Sequence, residues 1–154
     1  MWIALVITHG LLAFLLLGAV THQVVSVLVP ARAGATHFVA RFRAVSSANY
    51  ANAIIVLYLV TAALGAYIYT NYRISARLIL EQGHYWKSFG AFEIKEHLIA
   101  IGLAVLPAYW YFWRRPAGET VGPTRLVLTV MLAVIVWWAF LVGHVLNNIR
   151  GFGS

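Results

Sequence analysis

The sequence has no cysteine and no aspartate, and its only acidic side chains are Glu81, Glu93, Glu96 and Glu119. Without cysteine there can be no disulfide, iron–sulfur cluster, thiolate zinc site or c-type haem attachment, so a bound metal must rely on histidine, carboxylate or methionine. Without aspartate, and with the few serines near helix ends or in loops, a Ser-His-Asp hydrolase finds no support. Charge itself is scarce. Only 10% of the 154 residues are charged, against about 25% in an ordinary soluble domain, which argues against a water-soluble fold. The sequence has no internal repeat beyond the dipeptide Thr-His at Thr8-His9, Thr21-His22 and Thr36-His37.

Apolar residues make up 62% of the chain, and the mean hydropathy is +0.83. Four stretches approach the roughly 20 residues needed to cross a hydrocarbon core: about 2–29, 52–70, 96–113 and 126–146. The expected fold is all-α, an integral membrane four-helix bundle running up-down-up-down, with residues 1–154 as a single transmembrane domain. The first stretch lacks a basic leader and is far longer than a signal-peptide core, so it reads as a retained membrane helix. Pro30 with Ala31-Arg32-Ala33-Gly34 ends it. The segment carrying His37, Arg41 and Arg43 reads as a helical extension into the second span. Residues 71–95 mix Arg73, Arg77, Lys87, Glu81 and Glu93 with Tyr85, Trp86, Phe89 and Phe92, and read as an interfacial lid. Pro107 predicts a kink in the third span, which ends in Tyr109-Trp110-Tyr111-Phe112-Trp113, an aromatic belt backed by Arg114 and Arg115.

The net charge of +7 would suggest nucleic acid in a soluble protein. Here the arginines and lysines gather at span ends, where they meet lipid headgroups, and no nucleic-acid partner is expected. The first and third connections carry six of them and the second connection and tail five, but the former are shorter and denser. With no positive charge before the first span, both termini are expected outside, in the periplasm of a bacterial inner membrane.

An ionisable group inside a membrane span costs roughly 2.5–3.5 kcal/mol on insertion scales, so it is a functional candidate by default. His9, His22, His97 and His144 lie in or at the ends of spans. In an up-down-up-down bundle the start of the first helix, the start of the third and the end of the fourth share one side, which brings His9, His97 and His144 into the same half. His9 is followed by Gly10, His144 is preceded by Gly143, and His97 shares a face with Ala100, Ala104 and Ala108, leaving room for a flat macrocycle. Bis-histidine haem b fits this pattern, with His9 and His144 the best pair by depth. His97 is then an alternative ligand, a propionate partner or a proton carrier beside a quinone. Arg73, Arg77, Lys87, Lys95 and Arg150 supply cations for propionates. A second haem would need a partner for His22, which lies about 20 Å along the helix from His9 and is turned by about 220°, with only His37 at that end. His37 and His84 read as loop residues. The same three histidines, joined by Glu93 at i, i+4 from His97, also allow a copper, zinc or iron site.

The four-span plan and the membrane histidines His9, His97 and His144 resemble the small bacterial membrane cytochromes b, of the b561-like kind or the copper resistance D-like membrane domains. The resemblance implies haem b as an electron relay between the quinone pool and a partner, in a quinone-linked oxidoreductase or its membrane-anchor subunit. It also implies other membrane or periplasmic redox subunits, or a homo-oligomer, as partners. Two other readings stay open: a cofactor-free accessory or assembly subunit, favoured by the lack of a soluble domain, and a metal-handling protein using His and Glu. Transport across the bilayer ranks below these, because mid-span polar residues are limited to Tyr58 and Thr61.

Overall fold

The computed structural model describes residues 1–28, 47–116 and 121–151, with side chains at all of these except 47–49, 75–76 and 146–151. Every regular element among them is helical. Helix α1 is Trp2–Leu28 and α2 is Ser47–Tyr72. A π-helical turn, Arg73–Arg77, joins α2 to the short α3, Leu78–Gln82; α4 is Trp86–Arg114 and α5 is Val121–Gly151. The long helices follow from runs of Ala, Leu, Ile and Val with few breakers. Pro123 is tolerated because it stands in the first turn of α5, where no intrahelical donor is needed. Pro107 lies inside α4, which continues through it. The proposed helical extension at residues 36–46 lies outside the described residues, and α2 takes up the helix from Ser47.

Among the described residues, three helices are long and apolar enough to cross a membrane: Trp2–Leu28, Tyr50–Tyr72 and Val121–Val145. Helix α4 is longer than any span requires, but its first turns carry Lys87, Glu93, Lys95 and Glu96, which lower its hydropathy. The four long helices pack as a ring, α1 on α2 and α5, and α4 on α5 and α2. Their shared core is Leu16, Leu17 and Val20 of α1, Ala51, Ile54 and Tyr58 of α2, Leu106, Tyr109 and Trp113 of α4, and Leu132, Ala133 and Val136 of α5. Large apolar side chains also cover the outside, among them Ile3, Ile7, Leu11, Phe14 and Leu15 on α1. An apolar exterior of this kind fits a lipid bilayer, where helices satisfy their own backbone polar groups.

Residues 71–95 do not form a lid. Tyr72 and Leu78 keep helical dihedrals on either side of the π turn, so a continuous helical rod runs from Ser47 to Gln82, about 54 Å at 1.5 Å per residue. The chain reverses within Gly83-His84-Tyr85, where His84 takes a left-handed φ of 57°. The amides of Gly83, His84 and Tyr85 cap the carbonyls of Ile79, Glu81 and Leu80. Helix α4 then starts at Trp86, ten residues earlier than the span beginning at 96. No proline interrupts 86–95, so the helix period simply continues outward from the apolar part. The result is a helical hairpin that is longer than the bilayer core is thick.

The aromatic run at the end of α4 is divided between two environments. Tyr109 and Trp113, at i and i+4, are buried, whereas Trp110 and Tyr111 are exposed, so only part of the run can serve as a belt. Tyr109 lies against Thr129 and the buried Gln23, and Trp113 Nε1 donates to Thr129 Oγ1 at 3.3 Å. Arg114, Arg115 and Arg125 stand over Trp110, Tyr111 and Trp113 at 4.3–5.2 Å, as anchoring cations do at a membrane face.

Candidate functional site

The end of the ring that carries the hairpin also gathers the candidate residues. Trp2 of α1 stacks on Tyr67 near the end of α2 at 5.8 Å, and Phe92 of α4 stacks on Tyr72 at 4.4 Å. The first turns of α4 run beside Leu141, Val142 and Val145 of α5. His9, Lys95, His97 and His144 therefore lie towards one end, with Arg73 on the π turn next to it.

His9 is half-buried and its ring lies against α2 at Gly65. A Cβ at Gly65 would stand 2.9 Å from His9 Cε1, so a residue without a side chain is what lets the imidazole enter the α1–α2 seam. Its Nδ1 is buried and makes no hydrogen bond of ordinary geometry, although the Thr61 backbone is near enough to act on the ring, and Oγ1 of Thr61, one turn before Gly65, has no partner among the described residues. Leaving such groups unpaired costs about 1–3 kcal/mol each, the usual mark of a position kept for something other than packing. The Lys95 ammonium is an electrostatic neighbour of His9. It stands over the Phe92 ring at 4.6 Å, and a Cβ at Gly143 would be 3.9 Å from its Nζ.

His97 and His144 occupy different surroundings. His97 is exposed, and its Nδ1 lies 2.7 Å from the Glu93 carbonyl oxygen of its own helix, a contact that holds a proton on Nδ1. His144 is exposed and stacks parallel to Phe140 at 6.2 Å, and Phe140 in turn packs on Phe14 of α1 at 6.5 Å. Among the described residues, no three of the His and Glu side chains are grouped so as to hold a metal ion. Arg73 is exposed and lines a small surface pocket with Arg77, Leu78 and Glu81. The side chain of Arg150 lies outside the described residues.

As a test for haem, the residues divide. An axial imidazole needs a free ring nitrogen, which His9 has in a buried setting. Helices α1 and α5 run antiparallel, and Phe14 packs on Phe140. Gly10 is one turn back from Phe14 and His144 one turn on from Phe140, so His9 and His144 lie at a similar level along the bundle. His144 itself, however, is on the outer face of α5. Lys95 is the cation closest in role to a propionate partner, since it is directed inwards between α4 and α5 and Arg73 is not.

Sequence reasoning missed the two glycines that shape this half. Gly65 admits His9, and Gly102 of α4 admits the buried Tyr58, whose hydroxyl donates to the Ile99 carbonyl at 3.0 Å. Their signal was a glycine within an apolar helical run, which normally costs about 1 kcal/mol and so implies a close approach. Comparison with protein-family models, with curated proteins and with solved structures gives no significant match.

Proposed function

We propose that this chain is a four-span protein of a bacterial inner membrane, with both termini in the periplasm, that carries haem b and exchanges electrons with the quinone pool. The observation behind this reading is His9: a half-buried imidazole whose buried Nδ1 makes no hydrogen bond, set by Gly65 into the seam of a mainly apolar bundle. The fourth crossing is residues 96–113 of α4, supported by the packing of α4 on both α2 and α5.

In this reading His9 and His144 would hold the haem, His144 once its ring turns in from the outer face of α5, and Lys95 would offer charge to a propionate. Bound there, the haem would supply one-electron exchange in a medium from which water is excluded. The chain's own part is to fix the His9 ring through Gly65 and to keep apolar walls around it.

The test is an air-oxidised and dithionite-reduced visible spectrum of the detergent-purified protein, with a pyridine haemochrome assay. The expected result is the sharp reduced α-band of low-spin haem b, lost in His9→Ala and retained in His97→Ala. A featureless spectrum at full protein recovery would overturn the haem reading. The exposure of His97 and His144 favours a second reading, a cofactor-free accessory subunit of a membrane complex, which that outcome would put first.

A further inference from the structure

Helices α4 and α5 leave a groove of about 260 Å³ between them, lined by Lys87, Ser88 and Ala91 on one side and Leu141, Val142 and Val145 on the other. Lys87, Ala91 and Lys95 are spaced i, i+4, i+8 and form one ridge of α4. Along it the two lysines are about 12 Å apart, and the small Ala91 leaves the space between them open. Lys95 stands one turn beyond the lining, with its Nζ over Phe92 and 3.9 Å from where a Cβ at Gly143, the neighbour of Val142, would be. The other wall is apolar.

The level of the groove is set by where the apolar spans stop. That of α2 ends at Tyr72, which stacks on Phe92 and is followed by Arg73, and on α5 the apolar run of the sequence gives way to Asn147-Asn148 just beyond Val145, a groove residue. This is headgroup depth.

The charge at this level is not neutralised from within. Of the four carboxylate side chains in the sequence, Glu81 and Glu93 are engaged by Arg77, at 2.9 and 3.8 Å. Glu96 acts on Lys95 through space, yet among the described residues neither Lys87 nor Lys95 forms an ion pair. Glu119 lies outside the described residues.

We infer that the α4–α5 groove is a binding site for one anionic phospholipid, with its phosphate between Lys87 and Lys95, the Ser88 hydroxyl beside it, and an acyl chain against Leu141 and Val142. Two lysines at a membrane surface attract an anionic headgroup, and the apolar wall continues into the bilayer, which a soluble anion would not use. The site shares Lys95 with the surroundings of His9, but lipid retention is read directly and does not require haem.

The experiment is native mass spectrometry of the detergent-purified chain with phosphatidylglycerol or phosphatidylcholine added. Phosphatidylglycerol is expected to bind about 30-fold more tightly than phosphatidylcholine. That preference should be lost in the Lys87→Gln/Lys95→Gln double variant. Ala91→Trp, which keeps both lysines but fills the groove, should weaken binding of phosphatidylglycerol as well, and millimolar inorganic phosphate should not displace it. Equal retention of the two lipids, or a preference unchanged in both variants, would overturn the site. Displacement by millimolar phosphate would assign the lysines to a free anion and overturn the lipid as occupant.

Discussion

A methyl group added at Gly102 would overlap the Tyr58 hydroxyl and stand 2.7 Å from its Cζ. Tyr58 is 1% exposed and its hydroxyl is bonded to the carbonyl of Ile99, so the ring has no free direction in which to yield. Gly102→Ala is therefore an overpacking change, expected to cost about 1–3 kcal/mol. Tyr58→Phe, which keeps the ring and deletes one hydrogen bond, should cost about 1 kcal/mol. Thermal unfolding in detergent, followed by circular dichroism, would rank the two, and a milder effect for Gly102→Ala would mean that α2 and α4 separate easily. Gly65 poses the same problem for His9, with the difference that a displaced imidazole would change the site as well as the packing.

The hairpin that continues α2 beyond its apolar span is held by Arg77. Its guanidinium bonds to Glu81 at 2.9 Å, reaches Tyr69 Oη at 3.4 Å and Glu93 at 3.8 Å, and lies 4.8 Å from the centre of the Phe89 ring. The bond to Glu81, and after it the one to Tyr69, pushes the guanidinium still further up from its already high ordinary value. One side chain thus links the outgoing arm to the returning one. Because these pairs are open to solvent and salt screens them, Arg77→Gln should leave the membrane part intact and loosen only the tip. Hydrogen exchange across residues 78–93 should quicken in the variant, and in the wild type at high salt, while α1 and α5 are unchanged. Uniform exchange in both proteins would mean that the aromatic stack of Tyr69, Tyr72 and Phe92 is enough by itself. The hairpin was hidden in the sequence because aromatic and charged residues mixed over 71–95 suit an interfacial loop as well as two amphipathic helical arms. What separates the two is the short turn at Gly83-His84-Tyr85 and the absence of proline on either side.

For the molecule as a whole, hydropathy alone located α1, α2 and α5, because a run such as Leu126–Leu146 has no soluble alternative. It was ambiguous for α4, where Glu96 and His97 fall at the outer end. That His9, His97 and His144 gather towards one end was also legible, since it follows from antiparallel order. The direction of each ring was not: it depends on which neighbour gives way, and for His9 that is Gly65, while Phe140 draws the His144 ring along the face of α5. The number of crossings remains a matter of α4, and it has a direct consequence. Four crossings put the N-terminus, the hairpin tip and the C-terminus on one side, with Arg115 on the other; if α4 does not cross, Gln82 and Arg115 share a side. The natural absence of cysteine makes the experiment clean, since Gln82→Cys and Arg115→Cys each introduce the sole thiol, at an exposed residue of the hairpin end and of the opposite end. In intact, sealed cells a membrane-impermeant maleimide should label Gln82→Cys and reach Arg115→Cys only after the membrane is permeabilised. Labelling of both variants without permeabilisation would remove α4 from the bilayer, and with it the interior setting on which the His9 reading depends.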